Sequence, residues 1–279
     1  MVLKSYAKIN LSLLVNQKLR NGLHNIQSLY CLVNLYDKIS IKKTKKMKQD
    51  KVFFSGPHSK NINPKQNSIT QSLKLLRKHK LIKDYYLIKI KKNIPIFSGL
   101  GGGSSNALSI LKFLIKKKKE RRIFHKLIDM VGSDLRLFLY NQGYLKNLRK
   151  VIKIKNKFKL NFLLIFPNIK CSTKDIYSRV RKYSIEEDFY YKNFSNKKKL
   201  INYIINSNND LQQIVENKYP IITRLLADTR QFNGCILSRM TGSGSVCYGL
   251  FTNDNCSKAA LKNLRKKYPK FSFSIAKTI

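Results

Sequence analysis

The sequence predicts an α+β protein built from two domains. Strand-like segments with period-two or β-branched patterning are interspersed with segments whose apolar residues fall at helical spacing. With 279 residues the chain has room for two domains of ordinary size. Hydrophobic residues make up 43% and aromatics 11%, enough to fill cores despite heavy charge. The patterning shifts near residue 155, so the expected domains are 1–155 and 156–279.

Taken in order, KSYAKINLSLLV (4–15) mixes apolar and polar residues with β-branched and aromatic members and reads as a strand. After the polar turn NQKLRNGLHN (16–25), SLYCLVNLYDKISIK (28–42) reads as a second strand region with a hairpin-like break, and VFFSG (52–56) as a short strand. In SITQSLKLLRKHK (68–80), Ile69, Leu73, Leu75 and Leu76 trace one helical face, and the basic residues at its end suit the helix dipole. YYLIKIKKNIP (85–95) sets Tyr86, Ile88 and Ile90 against Leu87, Lys89 and Lys91, a half-buried strand. Ala107, Leu108, Leu111, Leu114 and Ile115 mark a helix, and RIFHKLIDMVG (122–132) another, closed by Gly132. The segment 147–167 alternates and then runs into FLLIF, a buried strand. Beyond it come helical NDLQQIVENKYPIITRLLADTR (209–230) and the strands GCILSRM, SVCYGLF and FSFSIAK, with no internal repeat.

The balance of 57 Lys+Arg against 14 Asp+Glu gives a net charge of +43. Such a field suits nucleic acid or an anionic membrane, but it also follows from compositional drift that enriches Lys, Asn and Ile together. The runs KKTKKMK (42–48), KKKKERR (116–122) and NKKKL (196–200) are scattered and read as solvated faces. None carries the interleaved aromatics of a single-strand groove, so nucleic acid is not the expected partner. The field would still draw in a small polyanion. Five cysteines with no C-x-x-C pair and four dispersed histidines argue against a disulfide framework and a metal cluster, so no residue is assigned as a metal ligand. No apolar run reaches the roughly 20 residues of a membrane span. The apolar pattern starts at Val2-Leu3 without a leader-like segment, which makes a cytoplasmic location the expectation.

The densest glycine cluster is SGLGGGSSN (98–106), placed between a strand and a helix. Without Cβ atoms, backbone N–H groups can close on an anion, and the helix behind them adds its dipole and unpaired donors. Phosphate is the usual occupant; a plain turn or linker is the alternative. A Walker loop would need Lys followed by Ser/Thr, and a dinucleotide fingerprint would need glycine at Ser104. Neither pattern is met.

With its flanks, Pro95-Ile96-Phe97-Ser98-Gly99-Leu100-Gly101-Gly102-Gly103-Ser104-Ser105-Asn106-Ala107 resembles the phosphate motif of the GHMP small-molecule kinases. Four more segments resemble, in the same order, one branch of that family: SYAKINLSL (5–13), NGLHNIQSLY (21–30), NDLQQIVENKYPII (209–222) and SRMTGSGSVCYGLF (238–251). The resemblance implies a first domain like domain 2 of ribosomal protein S5 and a ferredoxin-like second domain. It implies ATP as co-substrate with Mg²⁺, and a cytidine diphosphate-linked methylerythritol as acceptor. Oligomeric state stays open between monomer and homodimer.

Family roles carried over by position place Lys8 and Asp134 in catalysis, Lys8 orienting the acceptor hydroxyl and Asp134 taking its proton. On the residues alone, Lys8 could be a solvated strand lysine and Asp134 a helix cap. The loop Pro95–Ser105, with Asn67 and Lys92, falls to ATP. Asn10, His24, Thr173, Tyr177, Gly242, Ser243 and Gly244 fall to the substrate, His24 reading the cytosine edge and Tyr177 stacking. Three departures stand out. Leu23 replaces a usual tyrosine, removing one aromatic face for the cytosine; Arg136 replaces a usual proline; Phe97-Ser98 is bulkier than usual. Two other functions fit parts of the pattern: a homoserine- or mevalonate-type kinase, and a basic RNA-binding module on a lapsed kinase fold.

Overall fold

The computed structural model describes residues 2–45, 47–115, 121–188 and 194–279, without the side chains of 121 and 122. The basic run 116–120 and Lys46 lie outside the described residues. The strands are β1 (Val2–Asn10), β2 (Leu14–Lys18), β3 (His24–Thr44), β4 (Lys51–Ser55), β5 (Tyr85–Lys91), β6 (Gln142–Asn147), β7 (Lys150–Lys153), β8 (Asn161–Phe166), β9 (Cys235–Met240), β10 (Cys247–Phe251) and β11 (Ser272–Lys277). The helices are α1 (Ser68–Lys78), α2 (Gly102–Leu114), α3 (Arg121–Val131), α4 (Thr173–Ser178), α5 (Lys197–Asn206), α6 (Gln212–Lys218), α7 (Pro220–Arg230) and α8 (Asp254–Lys267). The α+β class is as expected from the sequence.

These elements form two compact units, each assembled from separated stretches of chain. Unit 1 comprises residues 1–7, 35–96 and 101–139. Here the second half of β3 runs antiparallel to β5, from Lys38 opposite Lys91 to Thr44 opposite Tyr85. β4 lies parallel to β5, which requires a crossover, and α1 supplies it. Ile39, Ile41, Ile88 and Ile90 fill the inner face of these strands, while Ile69, Leu73 and Leu76 bury the matching stripe of α1. α1 also packs against α2 and α3.

The hairpin-like break expected within 28–42 does not occur, because β3 runs on through it. Asp37, a polar residue within this strand, is wholly buried and forms an ion pair with the buried Lys92. Its carboxylate also accepts the backbone N–H groups of Asn93 at 2.7 Å and Ile94 at 2.9 Å. A buried charge so completely partnered can sit inside a strand.

Unit 2 comprises residues 8–34, 97–100 and 140–279. The first half of β3 pairs with β2 and, through Ser28–Cys31, with β6; β7 continues from β6. A second sheet is antiparallel in the order β11-β8-β10-β9. α7 packs on β9 and β10, and α8 on β8, β10 and β11. This is the ferredoxin-like arrangement expected of the second domain. β8 is the FLLIF run, with Phe162 to Ile165 fully buried at its centre. The single helical pattern read at 209–230 divides into α6 and α7 at Pro220, which stands at the first position of α7.

Candidate functional site

In unit 1 the glycine run is half loop and half helix. α2 begins at Gly102, so Gly102, Gly103, Ser104 and Ser105 form its first turn. Its N-cap Gly101 is left-handed, φ 67°, a conformation open to glycine and unfavourable to residues with a Cβ. Gly101 offers no side-chain cap, and the first turn holds no acidic residue. Leading N–H groups and a positive dipole end are what an anion requires. Ser105 is buried and accepts a bond from the Ser5 hydroxyl at 2.7 Å; Ser104 is half-buried. Pro95 and Ile96, also half-buried, lead in.

α1 shows the contrast. Its N-cap Asn67 accepts from the N–H groups of Ile69 and Thr70 at 2.9 and 3.1 Å, completing a capping box. The Asn67 amide nitrogen donates to the carbonyls of Asn63 and Pro64. Ser68 then ties α1 to the glycine turn by donating to the Gly103 carbonyl at 3.0 Å. The Lys92 ammonium lies beneath Gly102, 3.2 Å from where a Cβ would stand. Lys92 thus supports the turn directly, while Asn67 caps the helix whose Ser68 is tied to it.

Asp134 sits in the 3-10 turn Ser133–Phe138, exposed, with Leu135 to Phe138 buried behind it. The turn's N-cap is Gly132, and the Asp134 side chain makes no hydrogen bond or ion pair among the described residues. It is not a cap. Arg136, 9% exposed, reaches back to Asp129 on α3 with bonds of 2.9, 2.7 and 2.9 Å.

In unit 2, Lys8 is only 5% exposed, so it is not a solvated strand lysine. Its ammonium donates to the Asn10 side-chain oxygen, and its backbone N–H to the Leu100 carbonyl at 3.1 Å. Asn10 is held from two sides, its N–H by the Thr241 hydroxyl at 2.9 Å and its amide by Ser28 at 2.7 Å. Residues 97–100 lie against the second glycine turn. Gly99 has φ 75°, and a Cβ there would strike the Thr241 carbonyl; the Ser98 carbonyl accepts from Val246 at 3.4 Å. Phe97 projects outward, 60% exposed, while Ser98 and Leu100 are buried.

Gly242, Ser243 and Gly244 are buried in that turn. A Cβ on Gly242 would come within 2.9 Å of the Gly99 carbonyl and 3.2 Å of the Lys8 ammonium. The turn is fixed from behind by Asn209, which donates to the carbonyls of Met240 and Gly242, both at 2.9 Å. That is the work of the N-D-L segment, and the sequence did not reveal it. Ser243 shares a 3.0 Å bond with Thr173, at the start of α4. Thr241 and Ser28 are further residues of the site that sequence patterns alone did not single out.

His24 opens β3 with its ring centroid 5.1 Å from that of Tyr177 on α4 and 6.3 Å from that of Tyr183. Burial, aided by Lys18 across the strand pair, lowers its pKa, so the imidazole is neutral near pH 7. A neutral ring offers one donor and one acceptor. Unit 2 therefore gathers Lys8, Asn10, residues 97–100, His24, Thr173, Tyr177 and Gly242–Gly244. Unit 1 gathers Asn67, Lys92, Pro95, Ile96, residues 101–105 and Asp134.

The family model described as the GHMP kinase N-terminal domain matches residues 67–131, and that of the GHMP kinase C-terminal matches 187–270. A 4-diphosphocytidyl-2-C-methyl-D-erythritol kinase from Pelagibacter ubique is 37% identical over 95% of this chain and 94% of its own length. The kinase of the same name from Wolbachia pipientis wMel is 31% identical over 96% and 95%. Among solved structures, a 4-(cytidine 5'-diphospho)-2C-methyl-D-erythritol kinase superposes with TM-score 0.74 at 20% identity, covering 99% of each chain. A homoserine kinase from Cytophaga hutchinsonii gives 0.65 at 14%, covering 100% of this chain and 94% of its own. The structural likenesses speak for the fold, and the sequence relatives for the branch. The chain belongs to the GHMP kinases, in the family of the 4-diphosphocytidyl-2-C-methyl-D-erythritol kinases.

Proposed function

We propose that the protein transfers the γ-phosphate of ATP to the 2-hydroxyl of 4-diphosphocytidyl-2-C-methyl-D-erythritol, giving the 2-phosphate and ADP in isoprenoid precursor synthesis. The observation that carries this reading is the buried Lys8 ammonium beside Gly242, with His24 and Tyr177 in the same unit. A cation kept from water next to bare backbone suits a hydroxyl about to gain a phosphoryl group. A neutral imidazole beside an aromatic ring suits a pyrimidine.

Lys8 would orient the acceptor hydroxyl and Asp134 take its proton as the new O–P bond forms and the bond from the γ-phosphorus to the ADP oxygen breaks. The turn at Gly101–Ser105 would hold ATP phosphates by backbone donors and the Ser104 hydroxyl, with residues 95–100 leading in and Asn67 and Lys92 shaping its base. Asn10 would set the Lys8 ammonium. Thr173, Ser243, Gly242 and Gly244 would line the substrate, with Tyr177 stacking on the base. No three His, Cys, Asp or Glu side chains come together among the described residues. That fits a Mg²⁺ that arrives on the ATP phosphates, since Mg²⁺ keeps its waters and needs few protein ligands; Ser104 is the residue to assist it. When bound, the ion would neutralise charge on the transferring phosphoryl group.

No helix among the described residues is long and apolar enough to cross a membrane. A cytoplasmic enzyme, monomeric or a homodimer, with its family domains meeting near residue 155, completes the reading.

ADP release with a panel of acceptors tests it. Turnover on the cytidine compound and none on homoserine or mevalonate is expected. The reverse result sinks the proposal.

A further inference from the structure

Three rings gather at the start of β3. The His24 ring neighbours those of Tyr177 on α4 and of Tyr183, with interplanar angles of 34° and 27° to them. A ring stacked on His24 and a second tilted against it make an aromatic environment. The rings differ in exposure: His24 is 9% exposed, Tyr177 is half-buried, and Tyr183 is 44% exposed. Leu23, beside His24 in sequence, is 48% exposed and aliphatic.

An exposed tyrosine would ordinarily be mobile, but the backbone that carries this one is fastened. Ser184 donates from its N–H to the Val15 carbonyl at 2.9 Å and from its hydroxyl to Asp210 at 2.7 Å. Its own carbonyl accepts from Asn16 at 3.2 Å. Gln27 exchanges two bonds with the Glu187 backbone, at 2.9 and 2.7 Å. Asn25 holds the Glu186 carboxylate at 2.9 Å, and Tyr203 holds that of Glu187 at 2.7 Å. Residues 183–187 thus form a strap stitched to β2 and β3, with a tyrosine at its leading end. Such fixing reduces the ordering cost that a flexible aromatic would incur on binding.

We infer that Tyr183 is a specificity-determining residue: its ring forms a wall of the pyrimidine site and supplies the aromatic face that Leu23 does not. This rests on the function proposed above. The neighbouring groups agree with a neutral heteroaromatic ligand. His24 is uncharged near neutrality, and the charge acting on it comes from Lys18, an exposed side chain across the strand pair.

Tyr183→Ala, Tyr183→Phe and Tyr183→Trp test the assignment, with CMP as a binding probe that needs no catalysis. Replacement by Ala is expected to weaken CMP binding and raise the KM of the cytidine substrate about tenfold, the scale of one lost base–aromatic stack. kcat, the KM for ATP and the melting temperature should stay within twofold or a few degrees. The Phe and Trp variants should bind as the wild type does, and Leu23→Tyr added to Tyr183→Ala should restore affinity. Unchanged CMP affinity on Tyr183→Ala overturns the inference while leaving the proposed function intact. A Phe variant as weak as the Ala variant also overturns it, because the hydroxyl and not the ring would then matter. Failure of the wild type to bind CMP overturns both.

Discussion

The Asp134 side chain has no hydrogen-bond or ion-pair partner among the described residues, while a buried wall of Leu135, Arg136, Leu137 and Phe138 stands behind it. A carboxylate left uncommitted by the fold is available to take a proton. Asp134→Asn keeps the shape and removes the base, so turnover should fall by about a hundredfold or more. Affinity for ATP, measured by equilibrium binding, should scarcely move. Near-wild-type turnover would instead make Asp134 structural. His24 gives a second expectation at this scale. Its pKa is lowered in the folded protein, so the neutral ring is favoured there, and its contribution is present above the unfolded value of about 6.5. It is lost as pH falls through the lower folded value. The KM for the cytidine substrate should therefore be flat from pH 7 to 8 and climb only in acid; a rise beginning above pH 7 contradicts the neutral assignment. Lys8 and Asn10 were legible in SYAKIN, and His24 in NGLHNIQ, because each sits in a recognisable string. Tyr183 was not, since an exposed tyrosine in RKYSIEE has no periodicity or neighbour to distinguish it, and its ring matters only through the strap that fixes it.

Among elements, the 3-10 turn 133–138 has the most to explain, because Arg136 stands where the family usually has proline. Proline stiffens a turn by fixing φ; Arg136 does so by a two-pronged bond to Asp129 on α3. The guanidinium is buried and the carboxylate half open, with side-chain exposures of 10% and 47%. If this clamp aims Asp134, Arg136→Ala should lower kcat by roughly tenfold to a hundredfold through misplacement, with the KM for ATP unchanged. Asp129→Ala should cost the same, and the double variant no more than either, as for partners in one contact. Wild-type kcat in Arg136→Ala would show that the turn holds itself. Two other elements show where sequence patterning stops. The glycine run looked like loop to Ser105, yet α2 begins at Gly102, because glycine's low helix propensity is a weak prior against packing on α1. β3 was expected to break within 28–42, yet it runs on, with Asp37 made a buried strand residue by the distant Lys92 and the N–H groups of residues 93 and 94.

For the molecule as a whole, the charge of +43 dominates the composition but leaves few marks on the described interior. The buried cations Lys8, Lys92, Arg136 and Arg239 all have hydrogen-bond partners. The two compact units were half legible. Alternating strands and helices gave the class. The interleaving was hidden, because β1 and β3 each serve both units, and no local pattern announces a shared strand. One contact in unit 2 has a temporal meaning. Lys277 donates to the Asn34 side chain at 2.8 Å, Thr278 bridges to Val33, and Ile279 donates to the Leu32 carbonyl at 3.3 Å. These partners are 243 residues apart along the chain in the case of Asn34 and Lys277. On a ribosome adding about 5–20 residues per second, residues 32–34 wait on the order of tens of seconds for their mates. During that interval the nascent protein carries an open strand edge at these residues.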